Sequence, residues 1–169
     1  FFPLRDADKL KWEDGKKYDV ALYYPFTTKM TDATSIPVSV AAEQTVPVPL
    51  TTMQLKEEQM FVSSVKSVER PENGILEMSL SPVVSFVKIN VSSNLPVACN
   101  SIKLTGEDGT ALAFKHGKYD LFTSSLSEID TVSSVIDIKP ASPVYLRRKA
   151  SEFIVNVNPQ YAGKTLTID

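Results

Sequence analysis

Short runs in which every second residue is apolar recur along this chain, and helical spacing is scarce. Alternation sends successive side chains to opposite faces of a strand, so each run reads as a strand with one face buried. Tyr18, Val20, Leu22 and Tyr24 fall on one predicted face, with Asp19 and Tyr23 on the other; Glu13-Asp14-Gly15 before them reads as a turn. Ile36, Val38 and Val40 alternate with Pro37 and Ser39. Pro37 removes a ladder donor, which predicts an edge strand. Val46-Pro47-Val48-Pro49 reads as extended loop because two prolines so close together cannot lie inside a sheet. Met60 to Val68, the turn Arg70-Pro71-Glu72-Asn73-Gly74 and Ile75 to Leu80 predict a hairpin, since Asn-Gly tolerates the positive φ of a tight turn.

After Ser81-Pro82, Val83 to Val91 resumes as a strand, with its first half apolar on both faces. Ile102 and Leu104 lead into the turn Gly106-Glu107-Asp108-Gly109. Ala111 to Phe114, Tyr119 to Phe122, Val132 to Ile138, the alternating Phe153, Val155 and Val157, and finally Leu166 and Ile168 supply the remaining strands. Asn158-Pro159 breaks the penultimate one. Single helical turns fit Leu55 to Gln59 and Leu126 to Ile129, but no long apolar stripe at i, i+3, i+4, i+7 occurs. About nine or ten short strands separated by turn signals predict an all-β sandwich or barrel.

The chain has 169 residues, enough for one domain over 1–169 with a real core. With 43% hydrophobic and 22% charged residues the composition is that of a globular protein. The net charge of −2 offers no basic surplus for a phosphate backbone, which argues against nucleic acid as a partner. No run of about 18 apolar residues is present, so no transmembrane segment is expected. The opening Phe1-Phe2-Pro3 and the closing Thr165 to Asp169 both read as strands under way. A domain cut from a longer protein is therefore expected.

Candidate chemistry is sparse. Cys99 is the single cysteine and reads as a small buried hydrophobe before it reads as a nucleophile. His116, the single histidine, stands beside Gly117 in a predicted turn, where solvent exposure is the simpler reading than catalysis. The adjacent acids Glu57-Glu58 and Glu107-Asp108 read as solvated loop charges rather than a glycosidase pair. Glu107-Asp108-Gly109 also lacks the regular acidic spacing of a calcium loop. No phosphate loop, dinucleotide fingerprint or zinc-protease motif occurs, so no catalytic residue, metal or cofactor is expected. Trp12, Tyr23, Tyr24 and Phe26 lie close in sequence. Such rings can stack on sugars, but in a small sandwich they more often fill the core. A carbohydrate-binding module using Trp12, Tyr23 and Tyr24 is the second functional reading. Asn90-Val91-Ser92 fits the N-glycosylation pattern, within a predicted strand.

The order of these segments resembles the fimbrillin family of Bacteroidales surface proteins, including its FimA-like and Mfa-like groups. Trp12-Glu13-Asp14-Gly15 followed by Tyr18 to Pro25 resembles the family's opening W-x-x-G turn and V-x-A-x-Y-P strand. Ser85-Phe86-Val87-Lys88-Ile89-Asn90-Val91 fits the end of its H-x-L-S-K-V-x-F-x-V segment, with Pro82 at the usual histidine position. Ser101 to Gly106 is similar to its I-x-x-V-x-L-x-G piece, and Gly117-Lys118-Tyr119-Asp120-Leu121 to its G-x-Y-D-L. Asn158-Pro159-Gln160 with Gly163, Leu166 and Ile168 resembles the P-Q-x-x-x-G-x-x-L-x-I closing strand.

The resemblance covers nearly the whole chain. It implies the N-terminal domain of a two-domain protein, a transthyretin-like antiparallel Greek-key β-sandwich of about seven main strands with little helix. It further implies a non-enzymatic fimbrial subunit or adhesin, exported as a lipoprotein to the outer membrane and cell surface. Such a protein assembles into fimbriae, or pili, by β-strand addition. Its partners would be other fimbrial subunits or a second domain of the same chain, and a host protein or glycan. Asp130-Thr131-Val132 resembles the Asp-Ser/Thr-apolar O-glycosylation pattern of that phylum, with Thr131 as acceptor.

Overall fold

The computed structural model describes residues 13–24, 32–50, 61–161 and 164–169. Trp12, Phe26, the expected turn Leu55 to Gln59 and the Glu57-Glu58 pair lie outside them.

The described chain is all β, joined by turns and two short 3-10 segments at Glu107–Gly109 and Pro159–Tyr161. The strands are β1 (Tyr18–Tyr24), β2 (Ile36–Val40), β3 (Glu43–Val46), β4 (Phe61–Val68), β5 (Ser81–Pro82), β6 (Ser85–Val91) and β7 (Val97–Cys99). They continue with β8 (Ile102–Gly106), β9 (Ala113–Asp120), β10 (Ser125–Ser133), β11 (Val135–Pro140), β12 (Val144–Leu146), β13 (Ser151–Val157) and β14 (Leu166–Ile168). Hydrogen bonding orders them as β1-β4-β5, β10-β9-β2, β14-β8-β11-β3, β12-β7 and β13-β6.

Alternation explains the central strands directly. In β2, Ile36, Val38 and Val40 are buried while Pro37 and Ser39 face solvent. Ile102 and Leu104 of β8, Ile136 and Ile138 of β11, and Phe153, Val155 and Val157 of β13 are likewise buried. These residues join Ile36, Val38, Val40, Phe114 and Ile89 in one core cluster, which makes the sheets the two faces of a sandwich. As predicted, β2 is an edge strand.

Two of the sheets are linked by a side chain. Gln44 Nε2 of β3 donates to the Asn156 carbonyl of β13 at 2.7 Å, and the Asn156 N–H donates to Gln44 Oε1 at 3.0 Å. The amide thereby imitates a peptide group and carries the layer from β3 to the β13–β6 pair. At the end of β8, a Cβ on Gly106 would stand 2.5 Å from the Thr110 carbonyl oxygen, so this tight approach of two backbones requires glycine. At the end of β13, Asn158 is buried but satisfied: its Nδ2 donates to Ala111 O at 3.2 Å, and its Oδ1 accepts from Gln160 N at 3.1 Å.

Several expectations are corrected. The layers are not purely antiparallel, because β3 runs parallel to β11, with Asp137 to Pro140 opposite Glu43 to Val46. The two strands are far apart in sequence, so no tight turn dictates their direction. β1 presents Ala21 and Tyr23 to the core, leaving Leu22 and Tyr24 exposed, the reverse of the predicted face. An extra residue on β4 opposite Tyr18 to Val20, with Ser67 at φ 53° and bonded to the Asp19 carboxylate, is a bulge. It adds twist and breaks the period of two. The expected return strand Ile75 to Leu80 does not enter a ladder; only β5, Ser81–Pro82, pairs with β4, at Val62 and Phe61. Leu76 and Met78 keep an alternating half-burial there without cross-strand bonds.

The predicted helical turn Leu126 to Ile129 is part of β10. Ala111 to Phe114 and Tyr119 to Phe122 are not two strands with a turn at His116; β9 runs through His116 without interruption. Val132 to Ile138 divides at Ser134 between β10 and β11, where the chain passes from one sheet to another.

Candidate functional surface

The β9–β10 ribbon carries a constellation of paired polar side chains. Its turn is held by Asp120, whose Oδ1 accepts from the N–H groups of Phe122 and Thr123. Farther along, β10 holds an extra residue between Ser127 and Asp130, opposite Lys118 and His116. Glu128 sits there at φ 50° and Thr131 at φ 47°, a conformation that a β-branched residue adopts at a cost. The bulge sets Asp130 directly across from His116. Their side chains meet with Nδ1 to Oδ1 at 2.8 Å, and Lys118 pairs with Glu128 at 2.6 Å.

The His116 hydrogen bond, with help from Thr131, holds the Asp130 carboxyl below the ordinary aspartate value. A folded-state value below the unfolded one adds stability above the unfolded pKa and loses it as pH falls through the folded one. Both side chains are more than half exposed, so the energetic consequence is slight. The direct test is the carboxyl chemical shift of Asp130. Its titration midpoint should lie below that of a free aspartate in the native chain and move up in His116→Ala; identical midpoints would remove the assigned cause.

Beside this pair, where β2 ends, an open groove of about 470 Å³ runs between residues 39–42, 113–115 and 131–133. Val40, Ala113 and Phe114 form its buried floor, and Lys115, Thr131 and Val132 stand exposed at its rim. The lining offers hydroxyls and one ammonium over an apolar base.

Tyr23 and Tyr24, neighbours on β1, project to opposite sides: Tyr23 is half-buried against the core and Tyr24 is 62% exposed. They do not form one flat aromatic surface, and Trp12 lies outside the described residues. Cys99 is buried on β7, where burial pushes its thiol pKa up. His116 is exposed as expected, although on a strand. Glu107 and Asp108 are exposed in the 3-10 segment, and no group of three or more His, Cys, Asp or Glu side chains able to hold a metal ion occurs among the described residues. The bulge that joins His116 to Asp130 had no local sequence signature beyond the length of the β9–β10 hairpin.

Edges are the other candidate surface. β2 is interrupted by Pro37, β10 carries the bulge and two left-handed residues, and β14 has three residues. Such devices discourage pairing with foreign strands. β1, β6 and β13 differ: each is seven residues long, lacks proline and positive φ, and has one pairing partner among the described residues, and of the three β13 is also bonded along its other edge by Gln44.

These features define an all-β sandwich whose accessible features among the described residues include strand edges, loops and an open groove. No known sequence family matches the chain, and no curated protein matches it by sequence. Among solved structures, it is similar to a candidate cell adhesion protein from Bacteroides uniformis, with a TM-score of 0.57 and 14% identity. The match covers 97% of this chain and 59% of that one, so the chain spans about three-fifths of its neighbour's length. At this identity the likeness establishes the fold. No helix among the described residues is long and apolar enough to cross a membrane.

Proposed function

We propose that the chain is a non-enzymatic adhesion domain of a bacterial cell-surface protein, of the fimbrillin type with transthyretin-like topology, acting by attachment and by β-strand addition. The supporting observation is a fold shared with the Bacteroides uniformis adhesion candidate over 97% of the chain. The outer edge of β6, which no strand among the described residues pairs, adds a place for a donated strand, because its backbone groups can pair with an incoming chain. Partners in this reading are further subunits of the same fibre or a second domain, and the location is the outer membrane.

Hydrogen exchange tests the edge. In multimers recovered from the surface of the native cells, amides of residues 85–91 should exchange at least about tenfold more slowly than in the isolated chain, as amides newly locked into a ladder do. Equal rates, or recovery of the protein only as an intracellular monomer, would reject the reading.

Thr131 is proposed as an O-glycan acceptor in the same setting. It is exposed on β10 at the groove rim, next to Asp130. Natively expressed protein should be heavier than the bare chain by a glycan mass, and Thr131→Ala should remove that increment. An intact mass equal to the bare chain would refute it.

A further inference from the structure

One end of the sandwich differs in character from the rest of the molecule. The loops meeting there span residues 46–50, 92–101 and 140–150, and within them stand Arg147, Arg148 and Lys149 but no Asp or Glu. The chain as a whole carries −2. Three contacts draw these loops together. The Ser93 N–H donates to the Arg147 carbonyl at 2.9 Å, β7 pairs with β12 so that Ala98 faces Tyr145, and the Ala141 N–H donates to the Val46 carbonyl at 2.9 Å.

The same end exposes large apolar side chains. Leu95 is 72% exposed, Tyr145 66% and Val97 49%. Five prolines, at 47, 49, 96, 140 and 143, lie in these loops and limit their freedom to fold the apolar groups away. The three cations are exposed, and no salt bridge among the described residues involves them. Glu152, the nearest acid along the chain, is engaged with Lys88 at 3.0 Å. Asp169 reaches this end from the β14 edge, where its backbone pairs with that of Lys103.

The geometry points to this pole as a docking surface for an anionic lipid bilayer, with Leu95, and Val97 and Tyr145 from opposite faces of the β7–β12 ribbon, entering the headgroup boundary and Arg147, Arg148 and Lys149 meeting lipid phosphates. Aliphatic side chains gain by leaving water for the acyl boundary, a tyrosine ring suits the interface, and neighbouring cations are drawn to its negative potential. An acidic polysaccharide would use the same cations, but it offers leucine and valine no apolar phase. The charge complementarity and the aliphatic exposure together favour the bilayer. This inference is independent of the strand-addition reading; either can fail alone.

The test is co-sedimentation of the full chain with vesicles of equal parts phosphatidylglycerol and phosphatidylcholine, against vesicles of phosphatidylcholine alone. The native chain should partition onto the anionic vesicles and be released by salt. Replacing Arg147, Arg148 and Lys149 together by serine should lower partitioning about a hundredfold, since each cation near such a surface contributes about fivefold. Leu95→Ser with Val97→Ser should lower it at least about tenfold through lost apolar insertion. Unchanged thermal midpoints would show that both variants fold. Equal partitioning onto neutral and anionic vesicles, or native-like partitioning of both variants, would overturn the proposal. So would retention on polygalacturonate without vesicle binding, which would assign the pole to an acidic glycan.

Discussion

Replacing Phe153 by alanine should destabilise the fold by roughly 3–5 kcal/mol, the range seen when a fully buried aromatic is cut to a methyl group. Phe153 is 0% exposed, sits in the middle of β13 and lies across the ladder from the buried Ile89. Its neighbours are held by strands on either side, so the vacated volume cannot close without moving a sheet. Domains of this size are stable by about 5–15 kcal/mol, so a large share of the total would go. With about 2–4 °C per kcal/mol, the thermal midpoint should fall by roughly 6–20 °C. Urea unfolding is the cleaner check: the midpoint should drop while the slope stays constant, because the exposed surface is nearly the same. Phe86→Ala is the control. Phe86 is half-buried on β6 and stacked on Phe61 at 6.5 Å, and its loss should cost distinctly less. Equal effects at both positions would mean that the core is not centred on β13.

How far the sequence revealed this arrangement depends on where burial is one-sided. β2, β8 and β13 were legible because each has one buried and one wetter face, which writes a period of two into the chain. β10 was not: its bulge and its left-handed residues at Glu128 and Thr131 break the alternation, and Leu126 to Ile129 then imitates a helical turn. β3, β7 and β12 are too short to show a period, and β3 gains its place from β11, a partner distant in sequence.

The functional surfaces divide in the same way. Period two alone separates Tyr23 from Tyr24, so a shared aromatic platform was already hard to build from adjacent residues. The His116–Asp130 pair needed the register of β9 against β10, which no local pattern sets. Arg147, Arg148 and Lys149 are contiguous in sequence, but their approach to Leu95 depends on the Ser93–Arg147 backbone bond. Overall class was thus carried by local alternation, while the candidate sites arose from irregular register and long-range closure.

Gln44 offers the sharpest test of that closure. Gln44→Ala removes both bonds to the Asn156 backbone and the one to the Ala41 carbonyl and should cost roughly 2–3 kcal/mol, about one per net hydrogen bond. Gln44→Glu keeps the shape and an acceptor for the Asn156 N–H, but it sets a carboxylate oxygen where the amide donated to the Asn156 carbonyl. A second carbonyl, that of Ala41, also receives Gln44 Nε2, at 3.1 Å. Two oxygens facing an anion disfavour the charged form and should raise the pKa of the introduced glutamate. Its protonated form can donate again. A group whose folded pKa is raised contributes more at low pH, so the deficit of Gln44→Glu relative to the native chain should shrink as pH falls through the carboxylate range. The deficit of Gln44→Ala should stay level over the same range, because alanine has nothing to titrate. Urea midpoints of the three proteins at neutral and acidic pH measure this. Parallel pH profiles for both variants would show that the side chain fills space between β3 and β13 without acting as the hydrogen-bonded link between them.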